Sequence, residues 1–214
     1  MKYDLVIFDL DATLTTRDSV VEGVLSQLTQ TLPYPMTARE VRQRFQGCST
    51  PQQLKGIAAL QGGNLPDWFL PELERLYIEA TESALAPIKS VESAVRALSS
   101  MPICLISNGD PTTIGACLEF SGLAQHFESR WFSAAYVQRP KPAPDIFFFA
   151  ATAMNTLPDG CLVVEDSPIG AKAALCAGMS VVGLTGGSEK RAEALTKAGV
   201  ARMLDAPKAG LANR

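Results

Sequence analysis

The sequence predicts an α/β fold, a doubly wound, Rossmann-like parallel sheet core with a small inserted α-helical cap domain. Three observations predict it. Four short apolar runs, Leu5–Phe8, Ile103–Ile106, Cys161–Val164 and Val181–Leu184, each end in polar residues, as strands buried on both faces of a parallel sheet do. Segments with helical spacing alternate with the later runs, the pattern of strand–helix–strand units. Directly after the first run, a stretch of about 70 residues holds no convincing strand, which is too long for a loop within a compact domain.

Taken in order, Leu5–Phe8 opens the sheet. The insert then reads as four helices, Ser19–Leu32, Thr37–Phe45, Thr50–Leu60 and Pro66–Ala84, punctuated by Pro33, Pro35, Gly62, Gly63 and Pro87. This divides the chain into a core of residues 1–14 and 86–214 and a helical cap of residues 15–85. In the core, helix Val91–Ser99 precedes strand Ile103–Ile106, and helix Pro111–Phe120 follows it. Trp131–Ala134 is a further strand candidate before helix Pro144–Met154. Strand Cys161–Val164, helix Ser167–Ala177, strand Val181–Leu184 and helix Glu189–Ala198 complete the alternation. Pro or Ser stands at several helix starts, where the missing or capped N–H is tolerated. The tail after Asp205 reads as a ragged end.

Composition excludes several function classes. Formal net charge is −3 and no basic tract is present, so neither nucleic acid nor an anionic membrane surface is an expected partner. No apolar run approaches the roughly 18 residues of a membrane helix, and the start has no signal-peptide pattern. The five cysteines are odd in number and form no CxxC pair, so neither a disulfide framework nor a thiolate zinc site is expected. Free thiols fit a cytoplasmic location, with Cys104 and Cys161 as core residues. His126 is the single histidine, in a helix-to-strand connection. A Ser-His-Asp triad or a poly-His metal site is therefore not expected. Catalysis must run on carboxylates, lysine, hydroxyls or backbone groups.

Carboxylates concentrate at strand ends. Asp9 and Asp11 close the first run two residues apart, so strand alternation points both the same way. Glu165 and Asp166 close the Cys161–Val164 run. If those strands are neighbours, up to four carboxylates converge at the sheet edge where such folds bind ligands. Crowded like charges are unfavourable unless a cation or a proton separates them; a hard divalent cation is the natural remedy, and an all-oxygen donor set suits Mg²⁺, which also shares phosphate oxygens. Ser107-Asn108-Gly109-Asp110 brings hydroxyl, amide and backbone donors to the same edge. Lys141, between Pro140 and Pro142, presents an ammonium on a stiff loop.

In this order the residues resemble the haloacid dehalogenase-like (HAD) superfamily, whose four motifs are matched by Asp9-Leu10-Asp11-Ala12-Thr13, Ser107-Asn108, Lys141 and Glu165-Asp166. The resemblance spans about residues 3–187 and includes the insert, which resembles the family's helical cap. The chain is similar to the sugar-phosphate phosphatase and β-phosphoglucomutase branch, through Glu165–Ala171 in particular. Around Ser107–Gly109 and Lys141–Phe147 it is similar to bacterial 6-phosphogluconate phosphatase-like proteins. Ala12 stands where the family often has glycine, a change that removes no reacting group.

The resemblance implies a Mg²⁺-dependent phosphatase acting on a small phosphorylated metabolite, as a monomer or weak homodimer. Asp9 would be the nucleophile that forms an aspartyl-phosphate, and Asp11 the general acid and base. Asp9, the backbone carbonyl of Asp11 and Asp166 would hold Mg²⁺, with Glu165 holding a metal-bound water. Lys141 and Ser107 would bind the phosphoryl oxygens, and Asn108 would orient the site. The cap loop Phe45–Thr50, with Gly47, Ser49 and Thr50, is the candidate for substrate contact. A β-phosphoglucomutase keeps every one of these motifs. A phosphonate hydrolase uses a cap lysine, and Lys55 is the only lysine of the insert. A 2-haloacid dehalogenase lacks the second aspartate. A non-catalytic phosphometabolite sensor would not need Asp9, Asp11, Lys141 and Asp166 together.

Overall fold

A computed structural model describes residues 3–10, 17–46, 48–84, 95–98 and 101–205. Six strands form one parallel sheet: β1 (Leu5–Asp9), β2 (Ile103–Ser107), β3 (Trp131–Ser133), β4 (Cys161–Glu165), β5 (Ser180–Leu184) and β6 (Arg202–Leu204), in the spatial order β3-β2-β1-β4-β5-β6. β1 is central, with Ile7 paired to Cys104 of β2 and Val163 of β4. All five β1 residues are buried, because alternate side chains enter two different cores. Leu5 and Ile7 join the apolar cluster that also takes Cys104, Cys161 and Val163, whereas Val6 and Phe8 join Leu105 on the other face.

Helices cover both faces. Ile114, Cys117 and Leu118 of α5 (Pro111–Phe120) and Phe127 of α6 (Ala124–Phe127) pack with Phe8. On the opposite face lie Phe147 of α7 (Asp145–Ala153), Ala171 and Ala174 of α8 (Pro168–Cys176), and Leu195 of α9 (Glu189–Lys197). The small alanines of α8 let that helix sit close to the sheet. Asp110, Ser167 and Ser188 cap α5, α8 and α9 through their side-chain oxygens.

Residues of the insert build a third apolar cluster. It joins α1 (Arg17–Thr29), α2 (Ala38–Phe45), α3 (Thr50–Leu60) and α4 (Phe69–Ala84) through Leu25, Val41, Ile57, Phe69 and Leu73. Thr37 and Glu40 form a capping box at the start of α2. The helical reading of this stretch therefore holds, with ends shifted by up to three residues. Of the expected helix Val91–Ser99, residues 95–98 are described, of which 95–97 are helical and Leu98 is in a turn. The tail after Asp205 lies outside the described residues.

Two features differ from the sequence reading. β1, β2 and β4 each run one residue further than their apolar runs, so Asp9, Ser107 and Glu165 are part of the strands. β6 was not expected: its three residues are exposed or half-buried, so no apolar run marks it. Gly183 of β5 makes room for it, since a Cβ there would sit 2.8 Å from Met203 Sδ.

Candidate active site

The carboxyl ends of β1, β2 and β4 converge on one buried cluster. Asp9, Ser107, Asn108, Lys141, Glu165 and Asp166 are each at most 7% exposed. Lys141 reaches in from the loop before α7, and its Nζ donates to Asp9 Oδ1 at 2.6 Å and to Glu165 Oε1 at 2.7 Å. The ammonium also lies 5.5 Å from the centroid of the Phe147 ring. Burial by itself pushes this ammonium toward its neutral form, but the charges of Asp9 and Glu165 outweigh it and hold the lysine above its ordinary value.

The surroundings of this lysine fix it on three sides. Asn108 Oδ1 accepts from the Lys141 N–H at 3.0 Å, and Asn108 Nδ2 donates to the Lys141 carbonyl at 3.4 Å. Gln52 Nε2, from α3, donates to the same carbonyl at 3.5 Å. The Glu165 carboxylate is held in turn, since its Oε2 accepts from the Ser167 N–H and hydroxyl, both at 2.9 Å. Gly170 leaves space for that carboxylate: a Cβ at 170 would stand 1.5 Å from Glu165 Oε1. Both Glu165 oxygens are thus engaged by protein donors.

Ser107 closes the turn after β2, its Oγ accepting from the Gly109 N–H at 2.9 Å. Ser133, at the end of neighbouring β3, donates to the Gly109 carbonyl at 2.6 Å. The strand register places Ser107 opposite Ser133, so two strand ends hold this donor-rich turn.

Asp9, Glu165 and Asp166 bring carboxylate oxygens within 4.8 Å of one another, all buried. Against these three negative charges stand Lys141 and, at 3.7 Å from Asp166 Oδ2, the Arg191 Nε. Hard oxygen donors, a net negative charge and burial fit a divalent cation such as Mg²⁺. With Glu165 committed to Lys141 and Ser167, Asp9 and Asp166 are the side chains best placed to hold it. Asp11, Ala12 and Thr13 lie outside the described residues, as does Gly47.

Beside the cluster is a cavity of about 500 Å³ between the start of α3 and the sheet edge. Ser49, Thr50, Gln52 and Lys55 line one side, and Asn108 and Asp110 the other. Ser49 is buried, and its backbone N–H donates to Gln52 Oε1 at 2.7 Å.

Several contributors were not singled out from the sequence. Gln52 had a signal, the Ser-x-x-Gln spacing of a capping box, but its reach to Lys141 crosses 89 positions. Ser133 and Arg191 carry no local pattern, and Gly170 belonged to a quoted motif without an assigned role.

Comparison with known proteins agrees with this geometry. The family described as haloacid dehalogenase-like hydrolase matches residues 3–178. The chain is 28% identical to the 6-phosphogluconate phosphatase of Escherichia coli (strain K12) over 183 residues, which is 84% of this chain and 81% of that one. It is 28% identical to hexitol phosphatase A of the same organism, covering 82% of this chain and 80% of the relative. A crystal structure of a conserved haloacid dehalogenase-like protein from Agrobacterium tumefaciens str. C58 superposes with a TM-score of 0.79 at 32% identity, covering 95% of this chain and 93% of that one.

Proposed function

The chain belongs to the haloacid dehalogenase-like hydrolase family, and from that premise we propose that it is a Mg²⁺-dependent phosphatase. Its substrate class is a small phosphorylated metabolite, a sugar or organic-acid phosphate monoester. The observation that carries this reading is the buried contact of Lys141 with Asp9, beside the Asp166 carboxylate and the donors of Ser107 and Asn108. Relatives named for 6-phosphogluconate and hexitol phosphatase activity support the class of substrate.

In this reading Asp9 is the nucleophile. One of its carboxylate oxygens forms a bond to phosphorus as the bond from phosphorus to the alcohol oxygen breaks, giving an aspartyl-phosphate. Asp11 gives a proton to the departing alcohol. It then takes one from the water that attacks phosphorus, releasing inorganic phosphate and restoring Asp9. Lys141 and Ser107 bind phosphoryl oxygens, and Asn108 and Glu165 position Lys141 by its backbone and its ammonium. Asp9, the backbone carbonyl of Asp11 and Asp166 hold Mg²⁺. The cation supplies charge neutralisation that lets a carboxylate approach a phosphate.

The helical insert, residues 15–85, acts as a cap over the sheet edge. The cavity below α3 receives the non-reacting part of the substrate, with Ser49 and Thr50 offering hydroxyls and Lys55 an ammonium. Excluding water there protects the first step.

The test is phosphate release from a panel of phosphorylated metabolites, with glucose 1-phosphate included to detect isomerisation. Asp9→Asn is expected to lower turnover by about a thousandfold or more while the circular dichroism spectrum is unchanged. Near-normal turnover in that folded variant removes Asp9 as nucleophile.

A further inference from the structure

A second cavity, of about 520 Å³, opens at the opposite edge of the sheet. It is lined by Arg96, Gln125, His126 and Arg130, with Leu98 and Met101 among the apolar walls. Ile103, the first residue of β2, also borders it, whereas the candidate active site takes Ser107, the last. The two sites are thus separated by the length of one strand, about 13 Å at the usual rise per residue.

Among the described residues, the charged groups that line this cavity are all cationic. The described lining carries two guanidinium groups and the chain's single histidine, and no carboxylate. Arg130 Nη2 donates to the His126 carbonyl at 2.9 Å, which ties the guanidinium to the last turn of α6. Its Nε is buried with no hydrogen-bond partner among the described residues, and the same holds for His126 Nε2. A buried guanidinium donor left without an acceptor is costly, and its planar fork matches a carboxylate or phosphate. A water molecule would accept a hydrogen bond but would leave the charge of Arg130 uncompensated. The volume lies within the range of small-molecule pockets and exceeds what a bare ion needs, and the apolar wall suits an organic body.

We propose that this cavity is a second binding site, for a small organic anion whose carboxylate or phosphate group is held by Arg130, His126 and Arg96. It uses none of the groups assigned to phosphate ester hydrolysis.

The single histidine makes the test unambiguous. Its imidazole Cε1–H resonance is followed by NMR in the full chain at fixed pH and ionic strength. Sodium phosphate is titrated in one arm and sodium benzoate in another, with sodium chloride as control. The benzoate arm reports a carboxylate on an apolar body, and the phosphate arm a phosphoryl group. The expected result is a saturable shift in at least one arm, absent with chloride, whose apparent affinity falls at least tenfold in Arg130→Gln and in Arg96→Gln. The second variant serves if Arg130→Gln does not fold, because Arg130 also anchors the His126 carbonyl. Phosphate ester hydrolysis by folded variants stays within about twofold of the parent. No saturable shift with either anion, a shift matched by chloride, or one undiminished in the variants overturns the proposal.

Discussion

Lys141 is a buried cation whose position depends on residues that never touch it through their own side chains. Gly170 is one of them. Its missing Cβ leaves room for Glu165, which binds both the Lys141 ammonium and Ser167. Gly170→Ala would force the carboxylate aside, and neither of its oxygens can move without losing a bonded donor. We expect a loss of about 1–3 kcal/mol in denaturant unfolding together with lowered turnover. Gly115 provides the contrast, since a Cβ there meets nothing within 4 Å inside α5. Gly115→Ala should stabilise by about 0.5–1 kcal/mol, and equal effects at the two glycines would contradict the packing argument. The thiols make a second test at this scale. Burial, with smaller contributions from Asp159 and Asp4, pushes Cys161 up to about 11, and burial also raises Cys104. The thiolate is the reactive form, so raised values mean slower labelling. At pH 8 only about one Cys161 in a thousand is ionised. A thiol reagent should modify exposed Cys176 first, and Cys104 and Cys161 only on unfolding. Fast labelling of all sites in the native protein would refute this order.

At the scale of elements, α3 lines one side of the neighbouring cavity, and the proposed substrate role of that cavity is tested there. Its first turn contributes Thr50 and Gln52, and Lys55 follows one turn later on the cavity side. Gln52 has two tasks: its Oε1 accepts from the Ser49 N–H, and its Nε2 donates to the Lys141 carbonyl. Substituting Thr50→Ala or Lys55→Met should change preference among phosphate esters, with KM altered severalfold and Mg²⁺ affinity unchanged. Lys55→Met should weaken a phosphorylated sugar acid more than the corresponding alditol phosphate, because only the acid offers a second anion. Steady-state kinetics on the pair decides this, and an equal loss for both esters would remove Lys55 from recognition. Gln52→Ala should lower kcat as well, because it also loosens the lysine.

For the whole molecule, the arrangement of strands brings the negative charges together. β1 lies beside β4 in the middle of the sheet, and that adjacency sets Asp9 next to Glu165 and Asp166. A cation bound only by the folded chain stabilises it, by about 2.7 kcal/mol at a hundredfold excess over the dissociation constant. Mg²⁺ should therefore raise the melting temperature of the parent chain, and EDTA should reverse this and abolish phosphate release. The rise should be lost in Asp166→Asn. A melting temperature indifferent to Mg²⁺ would remove the metal from the cluster without any appeal to activity.

Much of this was legible in the chain itself. Asp9, Ser107 and Glu165 stand where apolar runs stop, and a parallel sheet of short buried strands puts such stops at one edge. The four helices of the insert follow from apolar spacing and from Pro and Gly breaks. These are local signals, carried by neighbours a few residues apart. Tertiary structure alone decided what each charged group faces. Glu165 is spent on Lys141 and Ser167, Asn108 and Gln52 grip the Lys141 backbone, and Arg130 and His126 line a cavity at the far edge. β6 likewise needed Gly183 of its neighbour. The hydrogen bonds made by Lys141 alone join residues 24 to 132 positions apart, and no pattern along the sequence encodes a partner that only strand order and helix packing bring within reach.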